Sequence, residues 1–398
     1  MKVSIKNVAY GLLFLMALYF ERLEAYLFLL LVFVELVQGI RNHSRIAISA
    51  EILFLFVCYV WYFFADSILT GSFGTYNIIR ILLGPIMGYL TGMLLTDSED
   101  DVKKIIIIVA IGNIVYGVLN LFMSPSITWV NRSVIDIWTG GYNAATLQSS
   151  FFTAAIGIAL WLFRRNRFGK VCCITILGLS SYNAFMTSTR TTLYIVVISV
   201  MVGIYIQIFL SEEKDKRLKR VVLSLVVIAI AVIAFLVMFN RNVYGIRDLY
   251  EKSNLNTRVS YETANFGGGF SRSKRWMEGI QNILSHPGGM GNSFVQYAHN
   301  FWIDTGVSVG IIPFLSLIFY TVCIGLDLIK LNKCKEISSE TKVLLTTTYI
   351  AYCMNFMVEP IFEAVPFMVI TFFMINGAVK KILTTQTEEE NNACAVVV

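Results

Sequence analysis

Six residues of this chain combine a reactive type with a position that could use it: Arg190, Arg272, Arg275, His299, Glu359 and Glu363. Arg190 stands in 186-MTSTRTTLY-194, at the junction of two apolar runs, and Arg272 and Arg275 open 270-FSRSKRWMEGIQNILSHPGGMGNSF-294. A guanidinium is a planar fork of donors that matches phosphate oxygens two at a time. Three arginines on one face of a membrane therefore suit a pyrophosphate clamp, although an arginine pair in a polar loop is ordinarily just solvated. The GGMGN stretch that follows adds backbone N–H groups able to cradle an oxyanion. His299 is one of only three histidines and stands where a long, mainly apolar stretch begins. Its plainer reading is an interfacial helix cap shared with Asn300. Glu359 and Glu363 flank the turn-forming Pro360, and carboxylates there cost desolvation unless they are used or paired. His286 reads as part of a helix stop, and His43 has no evident role.

The elements that would position these residues are membrane helices. Apolar residues make up 56% of the chain and charged ones only 15%, against about a quarter charged in soluble domains. Runs such as Ile105–Phe122 and Thr191–Leu210 hold no charge and are long enough for a hydrocarbon core about 30 Å thick. Hydropathy places spans at 7–20, 25–40, 47–65, 77–95, 105–122, 149–163, 169–187, 191–210, 221–239, 300–328, 343–358 and 363–379, about twelve in all. Lys2 and Lys6 precede the first run, but no small-x-small cleavage site follows, so it reads as a retained span rather than a signal peptide. Five cysteines sit inside apolar runs and no paired CxxC spacing occurs, which speaks against a disulfide framework and a cysteine metal site.

The net charge of +6 could suggest nucleic acid, but its location argues for topology instead. Twenty-one lysines and arginines fall in one set of short loops and four (Arg22, Arg80, Arg132 and Arg190) on the other face. By the positive-inside rule both termini are cytoplasmic. The remaining seven lie in a long external loop, where that rule largely lapses. The chain thus divides into spans one to nine (1–239), an external loop with a short amphipathic helix (240–299), spans ten to twelve (300–383) and a polar tail expected to be disordered (384–398). Within the loop, Ser271 or Ser273 can cap the helix. Trp276, Ile280, Ile283 and Leu284 form its apolar stripe, and Pro287 stops it.

Read together, Arg272-x3-Trp276 followed by Pro287 and Gly291, the STRTTL segment and AHNFWIDTGVSVGII resemble three blocks of the O-antigen ligase and polymerase family, in the family's order and covering about 50 residues. The resemblance implies a GT-C-like, all-α polytopic membrane glycosyltransferase of the bacterial inner membrane, with its active site on the periplasmic face. Its donor would be a glycan on undecaprenyl diphosphate, its surroundings membrane lipid, and a chain-length regulator protein a further partner in O-antigen or capsule synthesis. No cofactor, metal or nucleic acid is implied, and the sequence carries no Asp-x-Asp. Carried over by position, Arg190 and Arg272 would hold the diphosphate, with Arg275 a weaker candidate. His299 would contact the diphosphate or accept the proton of the attacking hydroxyl, and Glu359 and Glu363 are alternative bases or sugar ligands.

If the acceptor is another lipid-linked repeat unit, the enzyme is a polymerase; if it is lipid A-core, a ligase. The Tyr-Ala-His-Asn sequence, in place of a His-x-His-Asn, favours the polymerase. A lipid-linked glycan transporter or flippase would instead place ionisable residues at mid-span, whereas this chain has few charges within its apolar runs: Glu35, Glu51, Asp304 one turn into the tenth span and Asp327 near a span end. The charge asymmetry predicts that a reporter active only outside the cytoplasm gives signal when fused at Ser126 or Asn265 and none at Lys216 or Lys335. Signal at Lys216 would overturn the twelve-span topology.

Overall fold

A computed structural model of the protein describes residues 5–20, 23–41, 49–71, 78–124, 127, 132–209, 222, 226, 230, 233–234, 236–266, 271–291, 298–359, 361 and 365–396. It is an all-α polytopic membrane protein. Seven helical segments among these residues are long and apolar enough to cross a membrane, and Ile5–Ala17 and Arg190–Ile206 are shorter apolar helices. The span expected at 221–239 falls largely outside the described residues. The helices form two compact units, one of residues 1–116, 271–338 and 352–398, the other of residues 117–270 and 339–351.

The first unit contains α1 (Ile5–Ala17), α2 (Leu23–Arg41), α3 (Ala50–Thr70), a π-helical turn at Ile78–Leu83 leading into α4 (Gly84–Leu95), and most of α5 (Glu99–Phe122). Its tightest packing is between α4 and α16 (Pro366–Val396). Gly84, Gly88 and Gly92 recur every fourth residue on α4, and a Cβ on Gly88 would come within 2.9 Å of the Ile370 carbonyl oxygen. At Gly92 it would strike the Met374 carbonyl, and Gly377 of α16 stands equally close to the Tyr89 carbonyl. Small residues at this spacing let two backbones approach, the main route to close helix contact where lipid offers no hydrophobic drive.

Charges close one end of this unit. Lys6 Nζ lies 2.7 and 2.8 Å from Asp97 and Asp101, the Tyr10 hydroxyl donates to Asp101 at 2.8 Å, and the Ser338 hydroxyl donates to Glu99 at 2.8 Å. Toward the same end, Lys380 Nζ meets Glu51 at 2.8 Å and Asp327 at 3.0 Å. Two of the four carboxylates in the apolar runs therefore share one half-buried lysine. The helix carrying it continues to Val396, through the segment read as a disordered tail. Thr384 and Thr385 hydroxyls donate back to Lys380 and Lys381 carbonyls, and the Cys334 thiol to Gln386.

The span expected at 300–328 is two helices, α13 (Phe301–Val309) and α14 (Ile311–Lys333), broken at Gly310. Gly310 has φ 100°, and a Cβ there would collide with the Pro287 carbonyl, which accepts the Ile311 N–H at 2.9 Å. The preceding loop helix, α12 (Ser271–Ser285), lies along α13. It buries Ile283, with Trp276 beside it, against Ala298, Ile303 and Val307, while Ile280 and Leu284 are exposed. The expected stripe is thus split: Gly279, with no side chain, admits the Ile303 side chain between Trp276 and Ile283.

In the second unit a β-hairpin pairs Val134 with Asn143 and Ile135 with Tyr142; α6 (Ala145–Ser150) and α7 (Thr153–Arg165) follow it. Then come α8 (Arg167–Thr187) and α9 (Arg190–Phe209), joined by a left-handed Ser188. Gly157 of α7 abuts Thr348 of α15 (Ser339–Val358), and its carbonyl accepts the Thr347 hydroxyl at 2.6 Å. The short α10 (Ile246–Glu251) precedes α11 (Asn254–Phe266), whose Asn254 side chain donates to the Ile127 and Met186 carbonyls. Six cysteines among the described residues are free.

The α4–α16 contact predicts that Gly92→Leu costs about 1–3 kcal/mol or more, read as loss of monodisperse protein in thermal size-exclusion measurements. Gly11→Leu, which meets nothing within 4 Å, should leave the profile unchanged.

Candidate functional site

At the end of the first unit away from the lysine-closed one, three residues picked from sequence come together. Arg272 Nη2 lies 3.6 Å from Glu359 Oε1, and His299 Nδ1 lies 4.0 Å from Glu359 Oε2. Glu359 is 1% exposed, whereas the Arg272 and His299 side chains keep 37% and 26% of their surface. A sunken carboxylate thus stands behind a cation and an imidazole that both reach the surface. Both separations exceed direct hydrogen-bond range, but at such distances charge still acts strongly in a poorly solvated site.

The chain is folded tightly around His299. Asn300 caps α13, its Oδ1 accepting the Ile303 N–H at 3.1 Å, so the helix start does not need the imidazole. The Asn300 side-chain amide also donates to the Met357 carbonyl at 3.3 Å, tying this turn to the end of α15, just before Glu359. His299 itself has φ 57°, a left-handed conformation that costs a non-glycine residue about 1–3 kcal/mol and persists only where surroundings over-determine it. Here they do. Asp304 accepts the Ala298 N–H at 2.6 Å with one oxygen and the Asn300 N–H at 2.9 Å with the other. The Trp276 indole donates to the Ala298 carbonyl at 3.1 Å. The peptides on both sides of His299 are therefore pinned by one buried carboxylate and by the α12 helix.

Asp304 is the residue whose role the sequence did not reveal. It registered only as a charge one turn into an apolar run, and that oddity was the available signal.

The other expected site residues are placed differently. Arg275 is exposed on α12 and outside this cluster. Arg190 begins α9 in the second unit, half-buried. The segment before it is held by Arg258 Nη1 donating to the Ser188 carbonyl at 2.6 Å and by hydroxyl contacts among Ser149, Thr187 and Thr189. Glu363 lies outside the described residues. The glycine loop is not an oxyanion cradle through its central donors. Gly289 N–H bonds the His286 carbonyl, Met290 N–H the Val307 carbonyl and Gly291 N–H the Ser308 carbonyl, each at 2.9 Å. Those glycines instead let the loop dock against the end of α13, where a Cβ on Gly289 would sit 2.6 Å from the Ser308 oxygen. Phe301 and Ile303 of α13 are buried in protein, and the Trp302 indole donates to the Thr321 hydroxyl at 2.8 Å.

No protein-family model matches the chain, and no curated protein matches it significantly.

The lock on His299 predicts a local effect for Asp304→Asn. An amide offers one acceptor oxygen where the carboxylate offers two, so one of the Ala298 and Asn300 N–H groups loses its partner, at about 1–3 kcal/mol. Hydrogen exchange should rise at 298–304 while the spans keep their protection. Unchanged exchange there would dismiss Asp304 as the lock.

Proposed function

We propose that the protein polymerises lipid-linked oligosaccharide repeat units, moving a glycan from a polyprenyl diphosphate to a sugar hydroxyl of another unit. The observation that carries this reading is the Arg272–Glu359–His299 cluster. Three residues widely separated in sequence, two of them in motifs resembling the O-antigen ligase and polymerase family, meet at one end of the first unit. The rest of the proposal follows from that resemblance and from the loop charges: about twelve spans, both termini cytoplasmic, and the cluster on the external face.

In the reaction the acceptor hydroxyl oxygen attacks the anomeric carbon. The bond from that carbon to the diphosphate oxygen breaks, and the diphosphate leaves with the electron pair. Arg272 offsets the charge that grows on the leaving group, an effect larger in the transition state than in the ground state. The hydroxyl proton passes to His299. Its Nδ1 faces Glu359, which assigns proton transfer to Nε2, with the carboxylate steadying the imidazolium that forms. Glu359 is thereby a positioning residue rather than the base. Against a transporter stand three of the four carboxylates in the apolar runs: Glu51 and Asp327 share Lys380, and Asp304 is spent on backbone N–H groups; Glu35 is buried without a hydrogen-bond partner among the described residues.

His299→Asn is the informative variant, because asparagine tolerates the left-handed conformation that this position requires. It should keep expression and thermal stability yet lose about 10²–10⁴-fold in chain extension, the usual scale for a positioned acid or base. Arg272→Ala should fail likewise, with Arg272→Lys a poor rescue, since a point charge does not reproduce a fork. If His299 is the base, wild-type activity falls as pH drops through the imidazole range; a purely cationic role gives the opposite slope. Deleting the protein should leave surface glycan as single repeat units. Full-length chains stranded on the carrier would point to a ligase, and normal extension by both His299→Asn and Arg272→Ala would overturn the reading.

A further inference from the structure

The second unit carries a recess that the proposed chemistry does not use. It is a groove of about 620 Å³ between α7, α8 and α9, lined by apolar side chains with Arg164 and Lys170 at one end. That volume is in the range of pockets that hold small molecules, about 300–1,000 Å³. The wall follows a single face of α8: Lys170, then Cys173 and Ile174, then Leu177, with Leu160, Phe163, Val200 and Ile204 opposite.

The charge at its end is dense. The segment 163-FRRNRFGK-170 puts four cations, Arg164, Arg165, Arg167 and Lys170, across the turn from α7 to α8. None of them forms an ion pair with a described residue. Arg164 and Arg165 end α7, where the helix dipole welcomes cations. Arg167 and Lys170 begin α8, where it does not, and the first turn of α8 holds no acidic residue to offset them. Lys170 is held over a ring in the groove wall, 5.6 Å from the Phe163 centroid, and Arg165, outside the groove, lies 4.8 Å from that of Trp161. An uncompensated positive rim on an apolar, lipid-facing groove asks for an amphipathic anion.

We propose that this groove binds one anionic phospholipid, its phosphate between Arg164 and Lys170 and an acyl chain along Ile174, Leu177 and Val200. The chemistry needs both parts: basic recesses between membrane helices recruit anionic head groups, and the apolar wall selects a lipid over a free anion. This site is independent of the Arg272 cluster and of the reaction assigned to it.

The test uses the full chain, purified and stripped of lipid in neutral detergent, then offered phosphatidylglycerol or phosphatidylcholine and weighed by native mass spectrometry. Wild type should retain one phosphatidylglycerol with at least about tenfold preference over phosphatidylcholine, an energy difference of about 1.4 kcal/mol. Arg164→Gln with Lys170→Gln should remove that preference, leaving Arg165 and Arg167 in the loop to preserve its topology. Val200→Trp, which fills the groove without touching a charge, should lower retention independently. Lys333→Gln, at the end of α14, should change nothing. Equal retention of both lipids by wild type, or undiminished phosphatidylglycerol in both groove variants, would reduce the site to bulk lipid contact and overturn the proposal. So would equal thermal stabilisation by inorganic phosphate alone, which would mark a free-anion site.

Discussion

An ionised carboxylate taken out of water costs several kcal/mol unless donors meet it, and in the first unit several such debts each organise a piece of the fold. Glu51 of α3 and Asp327 of α14 are held by one lysine of α16, which joins three helices that are far apart in sequence. Asp101 draws in Lys6 and Tyr10 of α1. Asp304 draws in two peptide N–H groups and so shapes the turn before α13. Glu359 faces Arg272 and His299. Removing any of these donors leaves an uncompensated charge, so the contacts fix which helix ends come together more than they add net stability.

Much of this was legible in the chain, and the limits have physical causes. Apolar runs locate helices because length against the bilayer is a one-dimensional property. The start and stop of α12 near Ser271 and Pro287, and the cap at Asn300, rest on local backbone chemistry and could be read directly. What depends on a partner could not. The four-residue spacing of Gly84, Gly88 and Gly92 is visible in sequence, but nothing there says that α16 is the helix it admits. The helical period of α12 was evident, yet which apolar face is buried was decided by Gly279 opening a slot for Ile303. The break at Gly310 sets its backbone against the Pro287 carbonyl, more than twenty residues away, where any Cβ would collide. Glycines that looked like anion ligands proved to be close-approach residues for the same reason.

The site divides along the same line. Residue types and motif positions singled out Arg272, His299 and Glu359, but their convergence needed the fold. Asp304, which makes the His299 turn possible, is indistinguishable in sequence from a mid-span charge of the kind a transporter uses. Only its two backbone donors separate the readings. A charge satisfied wholly by the peptide chain around it is structural, and its conformational product, a left-handed histidine, is what reaches the surface.

The two ends of the first unit can be compared on distance alone. At the lysine-closed end, Lys6 and Lys380 contact their carboxylates at 2.7 to 3.0 Å, and Lys380 is shared between two acids. Those groups are in direct contact, and rearranging them would break charge-assisted hydrogen bonds worth more than neutral ones. At the other end the approaches to Glu359 are 3.6 and 4.0 Å, made by side chains that keep a quarter or more of their surface in the open. A guanidinium at that separation can swing toward an arriving anion without breaking a close bond to the carboxylate, while Glu359 remains behind it as a fixed negative reference for the imidazole. A catalytic group must change partners during a turnover, and a structural one must not. By that criterion the cluster with the longer distances is the one that suits the proposed chemistry.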